Sequence, residues 1–332
     1  MILLLLIIVS FLILIFMIYV LVYFNILSNV PLLIPSHTWS IGIYTGNSPF
    51  SISPSSMVKN PVLTYKNIPN IPVKSVSDPF MIYDNMKWYM FFEIYNLNTT
   101  RGEIGLAVSE DGYKWHFDKI IISEPFHLSF PYVFKVDDSY YMVPESAASL
   151  SVRLYKADNF PTQWSWVANL INKPYVDNCV LYFNNYWWLF SFDDTKNSLA
   201  LHLFYSKDIL GQWESHPKNP IVTGADKARP GGRIIKHDGM IIRYAQDGSR
   251  GYGKKIRAFQ ITKITTSEYG EKEILMNPVL EGSGSGWNAQ GMHHIDPHHI
   301  AEHEWLACVD GRTRKLRFIS NIISVRLGHN KG

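Results

Sequence analysis

Several signals are missing from this 332-residue chain, and each absence removes a class of function. There are two cysteines, Cys179 and Cys308, too few for a disulfide framework. Both fall inside apolar strand runs and read as buried, unpaired thiols. No GxSxG, no glycine-rich phosphate loop before a helix and no paired CxxC motif is present, so neither a serine-hydrolase elbow, a P-loop nor a zinc ribbon is indicated. No basic run of five or more occurs, and the formal net charge is only +3, so nucleic acid is not expected as a partner. Charged residues make up 18% of the chain, below the usual quarter or so. Beyond the N-terminal run no long 3.6-residue periodicity is found, which argues against a helical fold.

What is present begins with an apolar run from Met1 to about Phe24. It reaches the roughly 20 residues a helix needs to cross a bilayer. Its start is uncharged, its apolar core is long, and no small-residue cleavage site follows. Residues 1–27 therefore read as an uncleaved transmembrane signal-anchor. Residues 28–35 read as a linker and 36–332 as one globular unit. A short N-terminal stub places the bulk of a single-pass protein outside the cytosol, in the endoplasmic reticulum or Golgi lumen if the cell is eukaryotic. The sequon Asn98-Thr99-Thr100 is consistent with that side.

Aromatic residues are abundant, at 14%, and they fall in short runs bounded by turn residues, as strands require. Ser77-Asp78-Pro79-Phe80-Met81-Ile82-Tyr83 runs through an Asp84-Asn85 turn into Lys87-Trp88-Tyr89-Met90-Phe91-Phe92. The pattern returns roughly every 50 residues, with units starting near 77, 129, 176, 229 and 291. Trp115, Trp164 and Trp213 recur near the third-to-fourth strand connection. Four strands at this period describe the blade of an all-β propeller. The fifth unit is one strand short, and Trp39–Tyr44 is expected to complete it and close a five-bladed ring.

In a propeller the innermost strands converge on the axis. Asp78, Phe130, Asp177, Arg229 and His293 stand at the entrances of these strands. Glu145 ends a second strand, just after Pro144. Carboxylates around one pocket suit glycoside chemistry, because proximity pushes their pKa values apart. Asp78 is expected as base, Glu145 as acid and Asp177 as the group that tunes or orients them. Phe130, Arg229, Arg233, Gln246, Arg250, His293 and His294 are expected to contact substrate. Arginine suits an anionic sugar, a nucleotide sugar or a phosphoinositol headgroup. Neighbouring strand residues face opposite ways, so His293 and His294 are not expected to share an ion. No metal or other cofactor is expected.

The pieces Trp39-Ser40-Ile41-Gly42-Ile43-Tyr44, Asn60-Pro61-Val62-Leu63-Thr64, Ser77-Asp78-Pro79-Phe80-Met81, Phe130-Pro131-Tyr132-Val133-Phe134 and Val143-Pro144-Glu145-Ser146 resemble the N-terminal domain of the plant glucosamine inositolphosphorylceramide transferases. That domain is similar to the five-bladed propellers of family-43 glycoside hydrolases. The resemblance covers about Trp39 to Gly328. It implies a propeller in a carbohydrate context, whereas the transferase activity of that family belongs with a separate C-terminal domain. From the hydrolases it implies a base near the start of blade one, matched by Asp78. It also implies an acid on blade three, where Asp177 stands at the entrance while Glu145 lies on blade two. Two functions follow as expectations. One is a membrane-anchored glycosidase-like or transfer-related propeller acting on glycans or glycolipid headgroups. The other is a non-catalytic glycan-binding module partnering a separate glycosyltransferase.

Overall fold

The computed structural model describes residues 2–23, 32–195 and 198–319. The chain divides into two units, residues 1–37 with 314–332, and residues 38–313. In the first, Ile2–Tyr23 is helical. The part of this helix with described, contiguous side chains, residues 6–20, carries no charge and is shorter than the roughly 20 residues that cover a bilayer. Among the described residues no helix is long and apolar enough to cross a membrane. Of the expected linker, residues 28–31 lie outside the described residues, and residues 32–35 are extended as the start of the strand Leu32–Ser48.

The second unit is a five-bladed β-propeller built from antiparallel sheets. Blade 1 runs Val73–Asp84, Lys87–Asn96, Arg101–Ser109, His116–Ile122, and blade 2 Ser129–Val136, Ser139–Glu145, Val152–Asn159, Gln163–Ile171. Blade 3 runs Val176–Phe183, Tyr186–Asp193, Ala200–Ser206, Glu214–Ser215. Blade 4 has a short innermost strand, Ile235–His237, then Met240–Asp247, Lys255–Ile264 and Tyr269–Glu273. Blade 5 joins both ends of the unit: Ile295–Ala301 and Glu304–Ile319 are followed in the sheet by Leu32–Ser48 and Ser51–Pro54. The expected closure through Trp39–Tyr44 is observed within Leu32–Ser48, but the fifth unit is two strands short rather than one, and Ser51–Pro54 supplies the second. Each blade is an open sheet with its innermost strand as an edge, and the ring keeps those edges short and protected.

Each neighbouring pair of blades is locked by particular side chains. Phe80 of blade 1 meets Phe130 and Tyr132 of blade 2 at 4.9 and 5.2 Å. The Tyr132 hydroxyl donates to Val180 O of blade 3 at 2.8 Å. Phe190 packs edge-on to Tyr269 between blades 3 and 4. Tyr244 of blade 4 donates to Pro49 O at the outer turn of blade 5. Cys308 of blade 5 donates to Pro79 O of blade 1 at 3.0 Å, and both cysteines are buried and free. Phe80, Phe91, Phe130 and Phe190 are fully buried, each contributing about 2–3 kcal/mol through the apolar area it removes from water. The recurrent tryptophans tie down the connection before the fourth strand. Their indole N–H groups donate to Gly112 O, Pro161 O and Ile209 O.

Candidate functional site

The innermost strands of blades 1, 2 and 3 bulge at the same place. Their pairing registers slip between Ser77 and Phe80, between Ser129 and Tyr132, and between Val176 and Cys179. Inside each slip one residue takes a left-handed conformation: Asp78 (φ 52°), Phe130 (φ 43°) and Asp177 (φ 48°). A non-glycine residue there costs on the order of 1 kcal/mol, and a bulge re-aims the side chain it carries. Three blades repeating this conformation shows that the re-aiming belongs to the architecture. The second strands add a matching set. Counted from the strand start, the same position holds Glu93, Glu145, Phe192, Gln246 and Asp310 in blades 1 to 5. Ser77 stands opposite Glu93, Ser129 opposite Glu145 and Val176 opposite Phe192. One end of the axis is therefore ringed by residues from all five blades.

Asp78 is buried. Its backbone N–H donates to Asp310 Oδ2 at 3.2 Å, and its own Oδ1 lies 3.8 Å from His293 Nδ1. Burial pushes its carboxyl well above the ordinary aspartate value, and the nearby Asp310, Glu93 and Asp177 charges push the same way. Asp310 goes the other way. Burial alone would raise it, but the His293 ring and the Asp78 amide hold it below its usual value. His293 is clamped by that carboxylate, with Nδ1 2.9 Å from Oδ1 and 2.8 Å from Oδ2, and its N–H donating at 3.1 Å. Trp39 stacks on the imidazole at 3.8 Å and 16°, and Tyr252 meets it edge-on at 5.1 Å. The ligating atoms of Asp78, His293 and Asp310 lie within 4.8 Å of one another, but Asp310 spends its oxygens on His293 and the Asp78 amide.

Glu145 is also buried. Ser129 Oγ donates to Oε2 at 3.2 Å and the Ala147 N–H to Oε1 at 2.7 Å. Burial raises its carboxyl above the ordinary glutamate value, opposed by His127 and by these donors. Glu93 has the same arrangement one blade earlier, with Ser77 Oγ donating to Oε2 at 2.7 Å. His127, from the connection between blades 1 and 2, faces both: Nε2 is 3.6 Å from Glu93 Oε1 and 3.9 Å from Glu145 Oε2.

Asp177 takes the cationic side. Arg229 Nε donates to Oδ2 at 2.6 Å and Gln246 Nε2 at 3.0 Å. The guanidinium also reaches Asp194 at 3.3 Å and lies over the half-exposed ring of Tyr252 at 5.2 Å. This pairing holds Arg229 firmly protonated, its pKa raised by Asp177 against the cost of burial.

Three expectations need correction. Phe130, expected to contact substrate, is fully buried and packs edge-on against Phe80 and His294; the bulge turns it into the apolar axis. His294 lies there too, wedged between those rings. Burial pushes it down to about 4, so it is a neutral core residue. Arg233 is a strut: its Nε donates to Asp296 at 2.5 Å and its terminal nitrogens to Val133 O and Met81 O at 2.8 and 3.2 Å. Asp78 and Glu145 both stand in the ring where they were expected, each with its carboxyl raised above its ordinary value by burial. Arg250 is exposed, and its side chain has no hydrogen bond or ion pair among the described residues. Glu93, Asp310, Trp39, Tyr252 and His127 join the site without having been singled out. The first two were visible as the acidic ends of Lys87–Glu93 and Glu304–Asp310, which parallel Ser139–Glu145.

A family model described as the N-terminal part of glucosamine inositolphosphorylceramide transferase 1 matches residues 35–312. The chain belongs to that family. Its relatives include glucosamine inositolphosphorylceramide transferase 1 of Oryza sativa subsp. japonica, 36% identical over 299 residues, covering 82% of this chain and 40% of the relative. The Arabidopsis thaliana protein of the same name is 36% identical over 298 residues, covering 82% and 39%. The chain thus spans about 40% of the length of the curated relatives it matches. Among solved structures, an exo-1,5-alpha-L-arabinanase from a bovine ruminal metagenomic library superposes with a TM-score of 0.54 at 12% identity, covering 73% of this chain and 96% of that one. An alpha-L-arabinanase of Cellvibrio cellulosa complexed with arabinohexaose gives 0.52 at 15% identity, covering 73% and 94%. At such identities the likeness is one of fold, and it agrees with the resemblance to hydrolase propellers drawn from the sequence.

Proposed function

We propose that this protein is a glycan-recognising propeller whose site is the ringed end of its axis, and that Asp78 and Glu145 serve there as acid–base groups in glycosidic-bond chemistry. The observation that carries the reading is the division of labour among the ring carboxylates. Asp177 and Asp310 are tied to Arg229 and His293, whereas burial drives Asp78 and Glu145 toward holding protons. A carboxyl pKa raised above its ordinary value is the direction a general acid requires. The half-exposed Tyr252 offers an aromatic ring beside it, and Arg229 offers a cation for a substituent of opposite charge. The names of the relatives and of the solved arabinanases, which concern glycolipid and sugar chemistry, agree with a glycan or glycolipid headgroup as ligand. The uncharged N-terminal run is assigned as a membrane anchor that keeps the propeller beside such a lipid.

A second reading has its own support. Burial pushes the carboxyls of Asp78 and Glu145 in the same direction rather than splitting them into an acid and a base, which suits a non-catalytic module serving a separate glycosyltransferase. One experiment separates the two. The full chain is screened against glycans, glycolipid headgroups and nucleotide sugars for binding and turnover, with Asp78→Asn and Glu145→Gln alongside. Turnover lost in both variants with binding kept supports acid–base chemistry. Binding without turnover in the wild type supports the module. No binding by any form removes the glycan site.

A further inference from the structure

His127 links two glutamates that occupy the same place in successive blades, and its tautomer is set by the backbone. The Gly102 N–H lies 2.8 Å from His127 Nδ1. An amide N–H can only donate, so Nδ1 presents its lone pair and the ring proton of the neutral imidazole sits on Nε2. That nitrogen faces Glu93 Oε1 at 3.6 Å and Glu145 Oε2 at 3.9 Å. Both gaps are just beyond hydrogen-bond range, so a small tilt of the ring closes one and opens the other. A single N–H cannot serve both at full strength.

The surroundings are built for this. A Cβ on Gly102 would meet a His127 ring carbon at 2.7 Å and Glu93 Oε1 at 2.8 Å, so only glycine lets the amide approach. Each glutamate already takes one hydroxyl, Glu93 from Ser77 and Glu145 from Ser129. Glu145 also takes the Ala147 amide and feels Asp177. Tyr95, whose ring centroid is 6.4 Å away, flanks the imidazole. The His127 side chain is 37% exposed, so a ligand entering the mouth can reach it.

We propose that His127 is a positioning residue that hands its Nε2–H to either Glu93 or Glu145 and thereby sets whether Glu145 holds its own proton. When Glu145 receives the N–H, its carboxylate form is favoured; when Glu93 receives it, Glu145 keeps its proton and can donate it to a leaving group. The inference rests on the reading of the mouth as an acid–base site, but its test needs no substrate.

The full chain is labelled with 15N-histidine and 13Cδ-glutamate, the Glu145 signal being assigned with Glu145→Gln. In the wild type the His127 proton should reside on Nε2. Two substitutions divide the roles of the ring. Asn places an amide oxygen near the Nδ1 position, keeping the Gly102 contact but no donor toward the glutamates. Gln places an amide N–H near the Nε2 position and restores that donor. His127→Asn should raise the Glu145 titration midpoint by about one pH unit, and His127→Gln should return it toward the wild-type value. A residue that only braces the Gly102 turn would give the reverse order. A ring proton found on Nδ1, or a Glu145 midpoint unmoved in His127→Asn, overturns the proposal. A wild-type ring proton on Nδ1 overturns the proposal even if neither variant folds.

Discussion

Two arginines, Arg229 and Arg233, reach toward the axis from the same loop of blade 4 and each pairs with an aspartate, yet they do different work. The Arg233–Asp296 pair is saturated. Asp296 is fully buried and accepts from Arg233, from the Met81 N–H and from His298, while Arg233 spends its remaining donors on backbone carbonyls of blades 1 and 2. The pair pins three blades to the fifth. Arg229–Asp177 is open: the arginine is about a fifth exposed, and it shares Asp177 with Gln246 and leans over the half-exposed Tyr252. Sequence alone makes both equally attractive as ligand contacts. What separates them is whether every polar edge is already used, since a buried group with its partners complete has nothing left for a ligand.

The largest way to break the comparison is at the saturated pair. Arg233→Met leaves Asp296 buried without its cation, so unfolding free energy should fall by about 3–5 kcal/mol, read by chemical denaturation. The pH dependence of that pair has a definite sign. Asp296 is held below the ordinary carboxylate range by Arg233 and His298 against the cost of burial. Its stabilisation is therefore fully present above the unfolded aspartate value and is lost as pH falls through the lower folded value.

Asp78 should behave in the opposite sense. Its folded pKa is raised, so it favours the fold at low pH and that contribution fades as pH rises toward the raised value. Asp78→Asn should consequently stabilise the protein at neutral pH by on the order of 1 kcal/mol, seen as a higher melting temperature, while abolishing turnover of any glycan substrate. Arg229→Gln should cost about 1 kcal/mol of stability, because Gln246 still serves Asp177. It should nevertheless weaken glycan binding at least tenfold by calorimetry. The smallest stability effect belongs to Tyr252→Ala. Its half-exposed ring should move unfolding by no more than about 0.5 kcal/mol, yet binding should fall several-fold if a sugar ring stacks there.

Much of the fold was legible because strand periodicity and turns repeat. The starts of blades 2 and 3, the ring closure through Trp39–Tyr44 and the matched positions of Asp78, Phe130 and Asp177 follow from register, whereas the innermost strands of blades 4 and 5 begin later than expected, at Ile235 and Ile295. What those positions do was less legible. The same bulge sends Asp78 and Asp177 to polar partners and Phe130 into an apolar stack with Phe80 and His294, and only the three-dimensional neighbours decide which. Protonation was hidden for the same reason. Asp78 looks like an ordinary carboxylate in a turn until its burial beside Asp310 and Glu93 is seen. Glu93 and Asp310 could have been found by aligning second strands as carefully as first ones. His127 could not, because its role depends on a Gly102 amide that carries no sequence mark beyond being glycine.

The most direct test of the central claim follows the two guanidinium groups while a glycan binds. The Nε–H resonances of Arg229 and Arg233 are assigned by substitution in the 15N-labelled full chain, and the best-binding glycan of the screen is titrated in. The account predicts that the Arg229 signal shifts in a saturable manner while that of Arg233 stays in place. A shift confined to Arg233, or a bound glycan that leaves Arg229 unmoved, would contradict it.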